Sequence, residues 1–253
     1  MITILSPAKT LDFDSSLPEG SFTQPEFVDE STQLIQKLRS LSKKNVSELM
    51  NLNKDLTELN VQRYQEWEPE FTPDASRPAM LAFSGEVYRG LDAMSFSQED
   101  LSFSQDHVRI LSGLHGLLRP LDRIRPYRLE MGTKLPVRRS KNLYQFWGDK
   151  ITDSINEAME HAGTDVLINL ASNEYSKVID MKKVNGRVIT PIFKELKGDD
   201  YKVVMTYAKN ARGAMTRFIV KNRIIDSESL KGFEDYSFAP KLSDDSEWFF
   251  VRH

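Results

Sequence analysis

Short apolar runs typical of buried strands alternate along this chain with segments of helical periodicity, which limits the fold to the α/β class. Strands are predicted at residues 2–5, 79–83, 166–170, 187–193 and 201–207, with edge strands at 233–238 and 248–251. Helices are predicted at 25–41, 46–52, 55–67, 86–93, 98–111, 142–161 and 208–223. The order is not a strict strand–helix–strand repeat, so we expect a mixed sheet with surrounding helices. No break in composition divides the chain, which predicts one domain over residues 1–253.

Positive charge is concentrated in two segments, although the chain as a whole is acidic. Residues 107–150 hold ten Lys or Arg against three acids, and residues 202–223 hold six Lys or Arg and no acid. The formal net charge of the whole chain is −3, so the remaining residues are strongly acidic. Because clustered Lys and Arg attract phosphate, the pattern predicts a polyanionic partner.

The second basic segment is predicted to be a helix with one apolar face. At about 100° per residue, Lys209, Arg212 and Arg217 fall outside the sector that holds Ala211 and Phe218. An ordinary solvated surface helix is the alternative interpretation. Solvated faces normally mix charges of both signs, however, and this face has no acid.

The first basic segment contains four arginines within ten residues, between two prolines. Guanidinium groups suit two-pronged contacts with phosphate, and proline stiffens the loop that carries them. Tyr127 and Tyr144 are candidates for stacking on bases. The alternative is that some of these arginines pair with acids such as Asp122 and Glu130. The four arginines are Arg119, Arg123, Arg125 and Arg128.

Polar side chains follow two of the predicted strands. Ser6 and Lys9 come after the first strand, and Asn169, Ser172 and Glu174 come at the end of the strand at 166–170. The ends of strands in α/β folds often gather ligands. Polar loops also occur there without a function, and the glycine-rich pattern of a phosphate-binding loop is missing from the sequence.

Several classes of function are disfavoured. The chain has no cysteine, which excludes disulfides, thiolate metal ligands and a cysteine nucleophile. The four histidines match no ligand spacing, so we expect no metal and no cofactor. The apolar start of the chain is too short for a signal peptide, and no stretch approaches the ~20 apolar residues of a membrane span. We therefore expect a cytoplasmic protein.

Six motifs together resemble the bacterial YaaA peroxide-stress protein family over essentially the whole chain. They are ILSPAKTLD at 4–12, LSGLHGLLRPLD at 111–122, PYRLEMG at 126–132, YQFWGD at 144–149, NLASNEY at 169–175 and YAKNARG at 207–213. The resemblance implies a cytoplasmic protein of the hydrogen peroxide response that limits damage from intracellular iron. It also implies a single-domain fold peculiar to the family, with a positively charged cleft, a helix-hairpin-helix and binding to duplex or branched DNA.

The implied helix-hairpin-helix maps best to residues 46–67, with its hairpin at 52–56. Such hairpins usually carry glycine, which is missing here, although Asn53 can adopt the left-handed conformation in its place. Lys43, Lys44 and Lys54 are the local candidates for phosphate contacts. An ordinary helical hairpin is the alternative.

Two hypotheses about function follow. The first is a DNA-binding protein that contacts backbone phosphates without reading sequence, and its candidate residues are Arg119, Arg123, Arg125, Arg128, Arg138, Arg139, Lys209, Arg212 and Arg217, with Lys43, Lys44 and Lys54. The second is an enzyme that acts on a small anionic or nucleotide-like substrate, and its cleft candidates are Ser6, Lys9, Tyr127, Tyr144, Asn169 and Ser172. In the second hypothesis Glu174 or Glu130 transfers a proton, and Lys9 or Arg128 clamps the anion.

Overall fold

A computed structural model describes residues 1–18, 20 and 22–253. Its strands are β1 (Ile2–Leu5), β2 (Thr10–Leu11), β3 (Arg77–Pro78), β4 (Phe83–Ser84), β5 (Val108–Ser112), β6 (Gly116–Leu118), β7 (Arg123–Ile124), β8 (Val166–Asn169), β9 (Arg187–Lys197), β10 (Asp200–Lys202), β11 (Ser237–Phe238) and β12 (Glu247–Arg252). Its α-helices are α1 (Val28–Arg39), α2 (Lys43–Met50), α3 (Lys54–Glu66), α4 (Ala79–Ala82), α5 (Glu86–Leu91), α6 (Gln98–His107), α7 (Leu143–Trp147), α8 (Lys150–His161), α9 (Asn173–Ser176) and α10 (Met205–Lys221).

One mixed sheet of eight strands organises the domain, as the sequence predicts. Its order is β11-β12-β9-β8-β1-β5-β6, and β10 pairs with β9. Strands β12, β9, β8, β1 and β5 run parallel, whereas β6, β10 and β11 are antiparallel to their neighbours. All four residues of β1 are buried, which is expected of a parallel strand covered by helices on both faces.

The chain leaves β1 and β8 in opposite directions across the sheet. The next strand of this sheet after β1 is β5 on one side, whereas β8 leads to β9 on the other. Adjacent parallel strands with diverging connections leave a crevice at their carboxyl ends, where α/β proteins commonly bind ligands. The fold therefore places a crevice where the chain leaves β1 and β8.

A central strand, β5, replaces the end of the helix predicted at 98–111. Helix α6 begins with a capping box between Ser97 and Asp100 and ends at His107. Val108 then turns to extended backbone and pairs with Thr3 of β1. The prediction was wrong here because pairing with a strand more than a hundred residues away decides the conformation, and helical periodicity does not report such a partner.

Other boundaries also differ from the sequence prediction, and of the edge strand predicted at 233–238 only Ser237–Phe238 is extended. The strand predicted at 79–83 is mostly helix α4, and only Phe83 and Ser84 are extended. The helix predicted at 142–161 is divided into α7 and α8 by Gly148, whose φ is 51°. The strand predicted at 201–207 ends at Lys202, and α10 begins at Met205.

Helices α2 and α3 form the helical hairpin predicted near residues 46–67. The left-handed residue is Asn51, with φ of 50°, and the prediction that Asn53 takes this role is wrong. Asn53 instead caps α3, because its side-chain oxygen accepts the N–H of Leu56 at 2.9 Å. That this hairpin is a DNA-binding helix-hairpin-helix remains a prediction.

Candidate functional site

Two serines meet at the crevice between β1 and β8. The N–H of Ser172 donates to Oγ of Ser6 at 2.8 Å, and the hydroxyl of Ser6 donates to Oγ of Ser172 at 3.2 Å. The carbonyl of Ser6 accepts the buried hydroxyl of Tyr88 at 3.1 Å. The two polar loops singled out in the sequence therefore converge on one point, as the second hypothesis requires.

A cleft of about 280 Å³ opens over these serines. We call it the switch-point cleft. Its floor is formed by the loops after β1 and β8, and its walls come from the start of α5, the segment around Glu130 and the first half of α10. Its lining includes Ser6, Lys9, Ser84, Gly85, Glu86, Glu130, Ser172, Glu174, Tyr175, Lys209 and Arg212.

Two carboxylates on one wall of the cleft have different partners. One oxygen of Glu130 accepts both Lys9 Nζ at 3.0 Å and Arg128 Nη2 at 2.9 Å, so two cations neutralise this carboxylate. Glu174 accepts only the backbone N–H of Gly132, at 3.0 Å, and no ion pair to it occurs within the described ranges. Glu174 is thus the lining carboxylate that is left free to meet a ligand.

The wall formed by α10 carries two cations that have no carboxylate partner in the part of the chain that the structure describes. Lys209 is exposed, Arg212 is half-buried, and both residues line the cleft. Burial lowers the pKa of the Arg212 guanidinium, but an arginine in a protein stays protonated. A half-buried cation without a counterion is costly and favours an anionic ligand.

Close packing of two helices fixes this cationic wall. Gly90 of α5 and Gly213 of α10 lie at the crossing, and a Cβ at either position would overlap backbone atoms of the other helix. Only glycine lets the two backbones approach this closely. Arg212 is the residue before Gly213, so the crossing sets its position relative to the cleft.

A basic loop leaves the cleft beside Glu174 and returns to it. Gly132 donates its N–H to the Glu174 side chain, and the hydroxyl of Tyr144 donates to the Glu174 carbonyl at 2.8 Å. Between them, residues 133–142 contain four exposed cations and no acid. Burial, and secondarily the Glu174 charge, raise the pKa of Tyr144. The cations of this basic loop are Lys134, Arg138, Arg139 and Lys141.

The tip of the basic loop is a tight turn that presents two arginines. Val137 and Ser140 exchange two backbone hydrogen bonds of 3.0 Å, and Arg138 between them has φ of 53°. Left-handed backbone is unfavourable for a residue with a Cβ. Arg138 and Arg139 are both exposed at this turn, and neither has a carboxylate partner among the residues described.

Several other predicted phosphate ligands are engaged within the protein. Arg119 pairs with Asp122 at 3.0 Å, and Arg217 pairs with Asp92 at 3.2 Å. Arg123 is only 8% exposed and donates to the Ser76 carbonyl, while Arg125 donates to the Glu70 carbonyl. In the helical hairpin, Lys43 and Lys44 form loose surface pairs with Glu58 and Glu48, whereas Lys54 is exposed with no such pair among the described residues.

Two cleft candidates have structural roles. Tyr127 is 5% exposed and its hydroxyl contacts Oγ of Ser112 at 2.6 Å, so the prediction that it stacks on bases is wrong. Asn169 is buried, and its side chain contacts Thr190 and the N–H of Ala171. Both side chains lie at the carboxyl end of a sheet strand, since Ser112 is the last residue of β5 and Asn169 is the last residue of β8.

Sequence reasoning missed the contribution of α5. Glu86 and Gly85 line the cleft because antiparallel pairing of β2 with β4 brings Ser84 beside Thr10. The only local signal is the Ser84-Gly85-Glu86 sequence at the start of a predicted helix, and that pattern is too common to indicate a site. Tyr175 was also missed, since an aromatic residue after a strand is typical of a core.

Two kinds of feature were not found among the described residues. No group of three or more His, Asp or Glu is arranged there to hold a metal ion. No helix there combines the length and the apolar character needed to cross a membrane.

Comparison with known proteins places these features in a family. The profile described as peroxide stress protein YaaA matches residues 1–242. The chain belongs to the YaaA peroxide stress protein family. A relative from Saccharophagus degradans, described as a UPF0246 protein, is 48% identical over 254 residues that cover all of this chain and 99% of the relative. The resemblance seen in the sequence is confirmed, and membership of the YaaA family supports a role in peroxide stress.

Proposed function

We propose that this protein binds DNA without sequence preference in the cytoplasm and thereby limits iron-dependent peroxide damage. The supporting observation is a set of six cations without carboxylate partners among the described residues. Four lie on the basic loop and two on the cationic wall of the switch-point cleft, and both ends of the loop contact Glu174 in that cleft. They are Lys134, Arg138, Arg139, Lys141, Lys209 and Arg212.

Free cations matter more for this function than the total number of basic residues. A Lys or Arg that already holds a carboxylate must give up that partner before it binds phosphate. Surface pairs such as Lys43 with Glu58, at 3.7 Å, are worth at most about 1 kcal/mol and exchange easily. Arg123 donates inside the protein, so a phosphate cannot reach it without local unfolding. We therefore assign DNA binding to the six free cations, with Lys54, Lys43 and Lys44 as secondary contacts.

The experiment is a titration of fluorescent duplex and branched DNA at several salt concentrations. Each phosphate contact contributes about −0.9 to the slope of log K against log salt. Six contacts predict a steep negative slope that is alike for unrelated sequences. A flat slope, or strong discrimination between sequences of equal length, contradicts non-specific binding through phosphates.

A second candidate function is an enzyme acting on a small anionic or nucleotide-like substrate. The contact between Ser6 and Ser172 favours it, because it joins the two polar loops at the carboxyl ends of adjacent strands. Lys9 and Arg128 are both held by Glu130, so the anion clamp is better assigned to Lys209 and Arg212. Glu174 remains the candidate for proton transfer. Thermal shift with a panel of nucleotides tests this function, and no stabilisation by any anion contradicts it.

A further inference from the structure

The switch-point cleft differs from the basic loop because its free charges have both signs. Lys209 and Arg212 stand on one wall without carboxylate partners among the described residues, and Glu174 stands on another without a cation. The other charged residues of the lining already have partners, since Lys9 and Arg128 both contact Glu130 and Arg89 pairs with Glu86. The charges left for an occupant are therefore two cations and one carboxylate.

The serines add a hydrogen-bond donor to the floor of the cleft. Oγ of Ser6 accepts the N–H of Ser172, and its own proton goes to Oγ of Ser172. This arrangement leaves the proton of the Ser172 hydroxyl without an acceptor in the ranges that the structure describes. A hydroxyl of this kind can donate to an oxygen of a bound anion.

An anion that extends through the cleft from Arg212 to Glu174 fits poorly, whereas a DNA phosphate that meets only the two cations does not face the same repulsion. A phosphate chain that reached from Arg212 across the cleft would bring negative charge against Glu174, and like charges in a partly desolvated site repel strongly. The volume of about 280 Å³ also falls slightly below the usual range for pockets that hold drug-sized ligands. The charge pattern thus selects a compact molecule with an anion at one end and an amine at the other.

We infer that the switch-point cleft binds a small bipolar metabolite in which a phosphate or carboxylate contacts Arg212 and Lys209 and a protonated amine contacts Glu174. This inference rests on the second candidate function and specifies the class of its ligand. A guanidinium suits both oxyanions because it donates two parallel hydrogen bonds. Glu174 is held in place by the N–H of Gly132, which leaves its second oxygen for the amine.

The test measures binding of three matched probes by calorimetry: O-phosphoethanolamine, inorganic phosphate and ethanolamine. We expect phosphoethanolamine to bind at least tenfold more tightly than either of the others. Glu174→Gln keeps an oxygen for the Gly132 N–H but loses the charge, and it should abolish the preference over phosphate. Arg212→Gln should weaken phosphoethanolamine and phosphate together. Arg217→Gln and Glu157→Gln, which lie outside this cleft, are the matched controls and should bind like the wild type.

The outcomes separate this inference from the function on which it rests. Equal affinity for phosphate and phosphoethanolamine, weakened by Arg212→Gln, overturns the bipolar ligand but retains a small-anion cleft. Failure of all three probes to bind overturns the inference, and the thermal-shift panel of nucleotides then decides the second candidate function. Tighter binding of phosphoethanolamine by Glu174→Gln than by the wild type also overturns the inference, because removal of the carboxylate should weaken the hold on the amine. DNA titrations on Glu174→Gln and on the controls report on the DNA-binding proposal separately, whereas Arg212→Gln should weaken DNA binding as well, because Arg212 is one of the six free cations.

Discussion

Gly90 and Gly213 let helices α5 and α10 cross in backbone contact. A Cβ on Gly90 would overlap the Asn210 carbonyl, and one on Gly213 would overlap the Val87 carbonyl. The crossing joins α5, which begins at Glu86 of the cleft lining, to α10, which carries Lys209 and Arg212. The position of Lys209 and Arg212 therefore depends on the absence of a side chain at both Gly90 and Gly213.

The close crossing predicts that Gly213→Ala is destabilising. The added methyl must push two helices apart, and overpacking of this kind costs about 1–3 kcal/mol. Chemical denaturation measures the free energy of unfolding. Gly232→Ala is the control, since a Cβ there meets no atom within 4 Å, and it should leave stability nearly unchanged. Equal stability of both variants would show that the helices can separate without cost.

The free cations at the tip of the basic loop predict a change in salt dependence. Arg138→Gln combined with Arg139→Gln should reduce the steepness of log K against log salt by about 0.9 for each phosphate that is no longer bound. Affinity for all DNA sequences should fall alike. The control is Arg217→Gln with Lys221→Gln, which removes the same charge from side chains paired with Asp92 and Asp100. A control that lowers the slope as much as the tip variant would refute the assignment.

We predict that removal of the Asp100 carboxylate lowers the stability of the protein and raises its affinity for DNA. Its carboxylate accepts Lys221 Nζ at 2.6 Å and Arg223 Nη1 at 2.7 Å. Burial alone would raise the pKa of Asp100, but the hydrogen bonds from Lys221, Ser97 and Arg223 outweigh it and hold the pKa below its usual range. Asp100→Asn should cost roughly 1.5–3 kcal/mol of stability and strengthen DNA binding at low salt, because two cations are released.

The ion pairs of Asp100 also make the stability of the protein depend on pH. A carboxyl whose pKa is lower in the folded state stabilises the fold above the unfolded pKa of about 3.9 and loses that contribution as the pH falls. Denaturation at a series of acidic pH values should show a smaller loss for Asp100→Asn than for the wild type. Identical acid sensitivity would contradict the pairing.

The burial of His115 predicts a second loss of stability in acid, which begins at a higher pH than the loss from Asp100. It is fully buried among Trp67, Phe71 and Tyr127, and burial lowers its pKa to about 3. The unfolded chain takes up this proton near pH 6.5 and the folded chain does not. The contribution of His115 to the free energy of unfolding is therefore fully present above about pH 6.5. Below that pH the free energy of unfolding falls by about 1.4 kcal/mol per pH unit, down to the folded pKa.

Substitution of His115 separates this contribution from that of other groups. His115→Asn should be less stable at neutral pH, but its free energy of unfolding should decline less steeply between about pH 6 and pH 4. His161→Gln, at an exposed position, is the control and should follow the wild type. A decline in His115→Asn as steep as in the wild type would assign the acid sensitivity to other residues.

The sequence alone determined the features that depend on neighbouring residues. The sequence pattern predicted strand β1 from the apolar run at Ile2–Leu5 and helix α10 from its apolar face, because the spacing of apolar residues reflects burial. The polar residues after β1 and β8 were identifiable as site candidates because strand ends in α/β folds often bind ligands. The six motifs identified the family, which the comparison confirms.

Only the tertiary structure decided which charges are free and which strand lies beside which. Arg217 and Arg212 belong to one helix and look alike in sequence, but Asp92 neutralises the first and no described carboxylate reaches the second. Ser6 meets Ser172 because two strands separated by more than 150 residues pair in parallel. Ion pairing and strand pairing depend on distances between remote parts of the chain, and a local pattern carries no record of those distances.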